Sequence, residues 1–263
     1  MFRHLVVAAA VAAGAPAFAQ TGGAQTAGAG KDDAARQGLA RLLAQADEDY
    51  ANRDQPGRLD GELAKLRRAQ ELAPDDYGVL WRLARHDFWV SDDPHLPNDQ
   101  KSKLGREAWQ LGDRAAAVNP AGVEGWHYAA VGMGNYSLGI GVLRALGEGI
   151  EGKFKDRLSR AEKIDEKFSN GAIPTAWGRF YFKLPWPKYD AVKSERALLH
   201  ALQLNPDNVR ARVYLAELYV KEGHKKEART QLQKALAKPP GQYDRPEEER
   251  MQAVARQELG GKE

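Results

Sequence analysis

Residues 209–240 read VRARVYLAELYVKEGHKKEARTQLQKALAKPP, and this stretch decides the fold. Apolar residues recur at helical spacing on either side of Gly223: Val213, Leu215, Ala216, Tyr219 and Val220 before it, Ala228, Leu232, Ala235 and Leu236 after it. Gly223 predicts the end of the first helix, because glycine takes a left-handed conformation without a Cβ clash. Small residues such as Ala216 and Ala228 let two helices approach closely. The stretch therefore predicts a helical hairpin.

This hairpin resembles one tetratricopeptide repeat, a unit of ~34 residues in which small, aromatic and proline positions have set offsets. The residues that carry the resemblance are Leu215, Ala216, Tyr219, Gly223, Ala228, Leu232, Ala235, Leu236 and Pro240. Such repeats bind many unrelated partners, so the resemblance implies a fold and leaves the activity open.

Further copies of the pattern precede this hairpin. An alanine five residues before a proline ends a helical segment at Pro74, Pro120 and Pro206. The interval between Pro120 and Pro206 is too long for one repeat, and Phe168 occupies the position where another proline would divide it. Lys163, five residues earlier, occupies the position of the alanine. A small residue follows ten residues after each of these positions, at Ala84, Ala130, Gly178 and Ala216. These residues predict the first helices of four successive hairpins.

The resulting fold is all-α: stacked tetratricopeptide-like hairpins form an α-solenoid with a right-handed superhelix over residues 32–263. Two earlier helices, at about 32–52 and 58–72, complete the stack. Pro246 opens a last helix that caps its end, since proline suits the first helical position. Three insertions, which usually form loops on one face, interrupt the repeats: 90–100, 132–152 and 184–187.

The first residues predict export. Residues 1–19 combine a basic start, an apolar run and the small-residue site Ala17-Phe18-Ala19, which together are typical of a cleaved secretory signal peptide. We expect a mature start at Gln20, a flexible linker over 20–31 and a periplasmic or secreted location. No later apolar stretch is long enough to span a membrane. The formal net charge of +3 gives no footprint for nucleic acid, and the chain has no cysteine.

Catalytic and cofactor signatures are weak. Gly147–Gly152 matches G-x-G-x-x-G by letters, but no strand precedes it, which favours a bent connection over a nucleotide site. The histidines are too scattered for a zinc site. Asp92, Asp93, Asn98 and Asp99 lack the spacing of a calcium loop. Without a nucleophile motif either, we expect no enzyme, no metal and no cofactor.

A wider resemblance covers roughly residues 60–258. It is carried by Gly105–Ala108, by Trp126–Ala129, by GKFKDRLSRAEKID at 152–165 and by TAWGRFYFKLPW at 175–186. In this order the segments resemble the T-components associated with bacterial TRAP transporters and the eukaryotic regulator of microtubule dynamics family. The first resemblance implies a periplasmic helical-repeat protein that partners a solute-binding protein and contains a ligand-sized channel.

The first helices of such hairpins line the concave face. The candidate binding residues on them are Trp81, Arg85, Phe88, His127, Thr175, Arg179, Phe182, Val213 and Glu217. Arg85 and Arg179, each beside an aromatic ring, could hold an anionic group on an apolar floor. The alternative is that these aromatic residues only pack one helix against another.

We therefore expect a non-enzymatic scaffold that binds a protein or peptide, such as a solute-binding or envelope protein, in its concave groove. The alternative is a small-ligand carrier of the T-component kind. An open groove favours the scaffold, and a closed apolar tunnel favours the carrier.

Overall fold

A computed structural model describes residues 23–261, with side chains from residue 33 onward. In that part of the chain the backbone forms twelve helices and no strand, so the all-α prediction is confirmed. The helices are α1 Gly23–Ala51, α2 Arg58–Leu72, α3 Tyr77–Ser91, α4 Asn98–Val118, α5 Val123–Ile140, α6 Val142–Gly147, α7 Ile150–Ile164, α8 Phe168–Lys183, α9 Ala191–Leu204, α10 Val209–Lys221, α11 Lys225–Leu236 and α12 Arg245–Gly260.

The chain divides after Gly38, and Leu39–Glu263 form one compact unit. The predicted signal peptide and Gln20 lie outside the described residues. The backbone is already helical from Gly23, inside the segment 20–31 for which the composition predicts a linker. Alanines between its glycines give this segment more helix propensity than a Gly/Ser linker has.

Within the compact unit, consecutive helices pack as antiparallel hairpins that share apolar faces. α3 pairs with α4, α8 with α9 and α10 with α11, while α5 pairs with α7. The central core joins Met133, Tyr136, Phe154, Leu158 and Ile173, all buried. The predicted first helices are thus α3, α5, α8 and α10, and α12 packs on the last hairpin as the expected cap.

The glycine-rich segment 132–152 is not the inserted loop that its composition predicts. Its first part continues α5 to Ile140, and the rest forms α6 and the start of α7. Glycines recur every seven residues on the faces where α4 and α5 meet: Gly105 and Gly112, then Gly125, Gly132 and Gly139. A Cβ added at any of these five would lie 2.4–2.6 Å from backbone of the partner helix. These glycines therefore serve close helix packing.

One hairpin boundary differs from the others in register. The buried alanine of α7 is Ala161, whereas Lys163, which the sequence pattern places there, is exposed. Two extra residues consequently separate this alanine from Gly178. The chain absorbs them at Ser169, Asn170 and Gly171, which all have left-handed φ values. Asn208 at the start of α10 donates to the Asn170 carbonyl (3.0 Å) and thereby ties this turn to the next hairpin.

Candidate functional site

The inner faces of the helices surround a chamber of about 960 Å³. Its lining residues lie between Asp47 and Val254, on α1, α3, α4, α5, α6, α7, α8, α10 and α12 and the turns beside them. Binding sites for small molecules commonly measure ~300–1,000 Å³. The chamber lies at the upper end of that range, and is far too small for a folded partner domain.

The lining has an apolar part and a charged part. The helices α5 to α8 supply most of the apolar side chains, which include Val131, Leu138, Val142, Ile150, Phe154 and Phe180. Most of the charged side chains come from α1, α3, α10 and α12 or from the turns beside them, and include Asp47, Arg53, Arg85, Arg210, Asp244 and Arg250. A guest that contacts both parts must itself be amphipathic.

α1 and α2 form the first hairpin, and two ion pairs join the turn between them to the start of α12 at one side of the chamber. Nη2 of Arg53 donates to both carboxylate oxygens of Asp244 at 2.7 Å. In the second pair the arginine is on the other side: Nη2 of Arg245 donates to Oδ1 of Asp54 at 2.9 Å. The side chain of Arg53 is only 1 % exposed, and its guanidinium lies over the rings of Tyr50 and Trp89. We call Arg53, Asp54, Asp244 and Arg245 the closing quartet.

Two more arginines connect the late helices to the end of α3. Arg210 of α10 forms ion pairs with Asp92 (2.8 Å) and Glu247 (2.9 Å). The guanidinium of Arg250, on α12, lies 3.3 Å from the centroid of the Trp89 ring and donates to the Trp89 carbonyl at 3.0 Å. Together with the closing quartet, these contacts join the last helices of the repeat array to its first helices. The concave side is therefore closed into a chamber.

Six of the nine candidate residues line this chamber: Arg85, Phe88, His127, Thr175, Arg179 and Glu217. The other three pack elsewhere. Val213 is fully buried between α10 and its neighbours, and Phe182 packs against Tyr189 in the core of α8 to α10. Trp81 stacks on Tyr128 with ring centroids 6.3 Å apart. These three residues therefore pack helices against one another, which is the alternative role considered in the sequence analysis.

The two arginines predicted to hold an anionic group already have carboxylate partners. Arg85 pairs with Asp47 at 3.0 Å and with the fully buried Glu62 at 3.1 Å. Arg179 pairs with Glu217 on α10. Sequence reasoning missed five lining residues. Tyr50, Arg53 and Arg250 lie outside the first helices, whereas Arg210 and Tyr214 lie on the first helix α10 and were not chosen there.

His127 is the buried imidazole of the chamber wall. Its Nδ1 has no hydrogen-bond partner, and the ring contacts Tyr128 and Phe168 at centroid distances of 5.1 Å. Burial lowers the pKa of His127 to about 4, so the folded protein holds it neutral at physiological pH.

The lowered pKa of His127 predicts that the free energy of unfolding depends on pH. Between pH 6.5 and 4 the unfolded chain protonates His127 and the folded protein does not, so stability falls as the pH falls. We expect wild-type protein to lose roughly 2 kcal/mol more than His127→Gln between pH 7.5 and 5, at about 1.4 kcal/mol per pKa unit. Urea denaturation at both pH values measures this. His200→Gln, at a half-exposed histidine, is the control and should behave like wild type.

Comparisons with known proteins agree with the fold. Residues 190–247 match the family described as tetratricopeptide repeat. The chain is similar to the crystal structure of TTC0263, a thermophilic tetratricopeptide-repeat protein of Thermus thermophilus, at 24 % identity and a TM-score of 0.64. That match covers 84 % of this chain and 98 % of the other. The crystal structure of the protein MamA matches at 14 % identity and a TM-score of 0.44, over 76 % of this chain and 91 % of that one. No curated protein matches.

The family match thus covers the last hairpins, and the similarity to the Thermus protein shows a fold of the tetratricopeptide-repeat type over most of the chain. The resemblance to TRAP-transporter T-components is not confirmed by these comparisons and stays a prediction. Among the helices of residues 23–261, none has the length and apolar character needed to cross a bilayer. In the same part of the chain, no three His, Asp or Glu side chains are grouped as a metal site would require.

Proposed function

We propose that the chain is an exported, non-catalytic adaptor whose chamber takes a short extended segment of a partner protein. The observation that carries the proposal is the chamber itself, which occupies the concave side of a tetratricopeptide-type array and is lined by arginine and aromatic side chains. Those residue types dominate binding energy in protein interfaces. The dimensions restrict the guest to a few residues of extended chain, so any folded remainder of the partner stays outside.

A second candidate is a carrier of a small amphipathic molecule. The specific observation in its favour is the closure of the concave side by Arg53–Asp244 and Asp54–Arg245, where a plain peptide scaffold would present an open groove. Both candidates place the guest in the chamber. They differ in whether the guest is a segment of a larger protein.

Export is proposed from the sequence of residues 1–20 alone. The same segment makes the proposed location periplasmic or secreted, with a mature start at Gln20.

Site-specific photocrosslinking tests the function. The photoreactive residue p-benzoylphenylalanine replaces Val131 in the chamber or, as the matched control, Leu72, which is 53 % exposed on α2 and does not line the chamber. Both variants are expressed with the native leader, irradiated in cells and purified. Mass spectrometry of the recovered chain also determines the mature N-terminus.

We expect adducts at position 131 that are absent at position 72, on a chain that starts at Gln20. An adduct that yields tryptic peptides of another protein supports the adaptor, and one of low mass without peptides supports the carrier. Equal labelling at both positions, or none at 131, would contradict a guest in the chamber. A chain that keeps residues 1–19 would contradict cleavage and export.

A further inference from the structure

Arg250 differs from the other arginines that line the chamber. Arg53, Arg85, Arg179, Arg210 and Arg245 each form an ion pair with at least one carboxylate. Arg250 has no carboxylate within ion-pair distance among the described residues. Its single hydrogen bond there, from Nη1, is to a backbone carbonyl, and one face of the guanidinium is covered by Trp89. Its charge is therefore compensated less than that of any neighbouring arginine.

Two arginines and two aspartates surround the guanidinium of Arg250. Arg53 and Arg250 both lie within about 4 Å of the Trp89 ring centroid, and Arg210 is close enough to influence the same guanidinium. The charged groups that act on it are Asp92, Asp93, Arg53 and Arg210, and both Asp92 and Arg53 already have partners. Burial lowers the pKa of Arg250, Arg210 and Arg53 act in the same direction, and Asp92 and Asp93 oppose them.

We propose that Arg250 binds a single carboxylate of the guest. The apolar part of the guest, either an alkyl chain or a peptide segment with apolar side chains, then lies along the apolar lining of α5 to α8. The proposal rests on the proposed function, since it names the chemistry of the guest in the same chamber. Arginine suits the role because its planar fork of N–H donors matches a carboxylate with two parallel hydrogen bonds. A fatty-acid-like molecule and the carboxyl terminus of a peptide both present this chemistry.

The existing contacts argue for one carboxylate. Asp244 and Asp92 already pair with Arg53 and Arg210, and Glu248 accepts from the backbone N–H groups of residues 241–244. A dianion would have to compete for these pairs, while a neutral guest would leave Arg250 uncompensated. A guest with one carboxylate can pair with Arg250 without breaking an existing contact.

Calorimetric titration with two matched pairs of probes tests the proposal. The first pair is dodecanoate and dodecanol. The second is a hexaleucine-type peptide made soluble by an N-terminal polar tag, with either a free carboxylate or a carboxamide at its C-terminus. Each probe is titrated into the full mature chain, into Arg250→Gln and into Arg256→Gln, whose arginine is exposed on the same helix and does not line the chamber.

We expect the carboxylate member of at least one pair to bind ~10- to 100-fold tighter than its neutral match, as loss of a charge-assisted hydrogen bond implies. Arg250→Gln should abolish that preference and Arg256→Gln should keep it, with circular dichroism confirming the fold of both. Tighter binding of dodecanoate than of dodecanol, without a difference between the peptides, identifies a small carboxylate as the guest. Tighter binding of the peptide with the free carboxylate identifies a peptide terminus.

Equal binding of charged and neutral probes would overturn the proposal, and so would an unchanged preference in Arg250→Gln. If no probe binds, the carboxylate assignment also fails. The proposed function then still stands if position 131 is crosslinked to a guest in cells, and fails with it if that position remains unlabelled.

Discussion

Gly112→Ala is expected to destabilise the protein by about 3 kcal/mol although it adds a single methyl group. A Cβ at this position would lie 2.4 Å from the backbone nitrogen of Ala129 and 2.9 Å from the carbonyl oxygen of Gly125. These are backbone atoms of α5, so no side chain can rotate away to make room. α4 and α5 must therefore separate, which loosens the contact on both sides of Gly112.

Gly134→Ala is the matched control on α5. The nearest atom to a Cβ there is Cε2 of Phe154 at 3.9 Å, an ordinary van der Waals contact. Alanine has a higher helix propensity than glycine by up to ~1 kcal/mol, so this variant should be as stable as wild type or more stable. Urea denaturation of both variants gives the free energies of unfolding. Equal midpoints for the two would refute the close packing of α4 on α5.

The same glycines show where sequence reasoning succeeds and where it fails. Hydrophobic periodicity predicts the hairpins correctly, because each first helix carries its small residue on the buried face. Composition alone misreads the segment 132–152 as a loop, since glycine is both a turn residue and the residue of close helix contact. The spacing decides between these roles: Gly125, Gly132 and Gly139 recur every seven residues, which places them on one helical face.

Register across a kink is harder to predict. Lys163 and Ala161 both fit a helical pattern, and only the left-handed turn at 169–171 shows that two extra residues lie between the hairpins. Asn170-Gly171 is a turn signal because both residues tolerate positive φ values, but nothing in the sequence indicates that Ser169 shares this conformation. The backbone carbonyl of Asn170 is held by a side chain 38 residues away.

The candidate site was predictable only in part for a related reason. First-helix periodicity places Arg85 and Arg179 on the concave side, where both are found. Periodicity does not predict that Glu62 and Glu217 form ion pairs with these two arginines, or that Arg250 of the capping helix α12 lines the chamber. The partners Arg53 and Asp244 are 191 residues apart, and only the curvature of the whole array brings them together.

Arg53→Glu is expected to detach α12 from the first hairpin and open the chamber. The substitution removes the cation between Tyr50 and Trp89 and sets a carboxylate against Asp244. Loss of one partner from a buried pair costs ~3–5 kcal/mol, which corresponds to more than a hundredfold in the population of an open state. The exposed pair Asp54–Arg245 contributes too little to hold the ends alone, because surface ion pairs stabilise by ~0–1 kcal/mol.

Native-state hydrogen exchange measures the opening. Amides of α12 should exchange ~100-fold faster in Arg53→Glu than in wild type, whereas those of α4 and α5 keep most of their protection. The matched control is Arg58→Glu at the start of α2, where a 40 % exposed arginine pairs with Asp49 outside the closing quartet. That variant loses one ion pair of the same hairpin and should leave α12 protected.

The opened variant also separates the two candidate functions. A small amphipathic guest depends on walls at every side, so Arg53→Glu should bind it more weakly and release it faster. A peptide segment that also contacts α5, α8 and α10 should lose little more than its contact with Arg250, and should associate faster because the entrance is wider. If α12 exchanges in Arg53→Glu as slowly as in wild type, Arg53 stabilises only its own hairpin, and the chamber is closed by other contacts such as Arg210–Asp92.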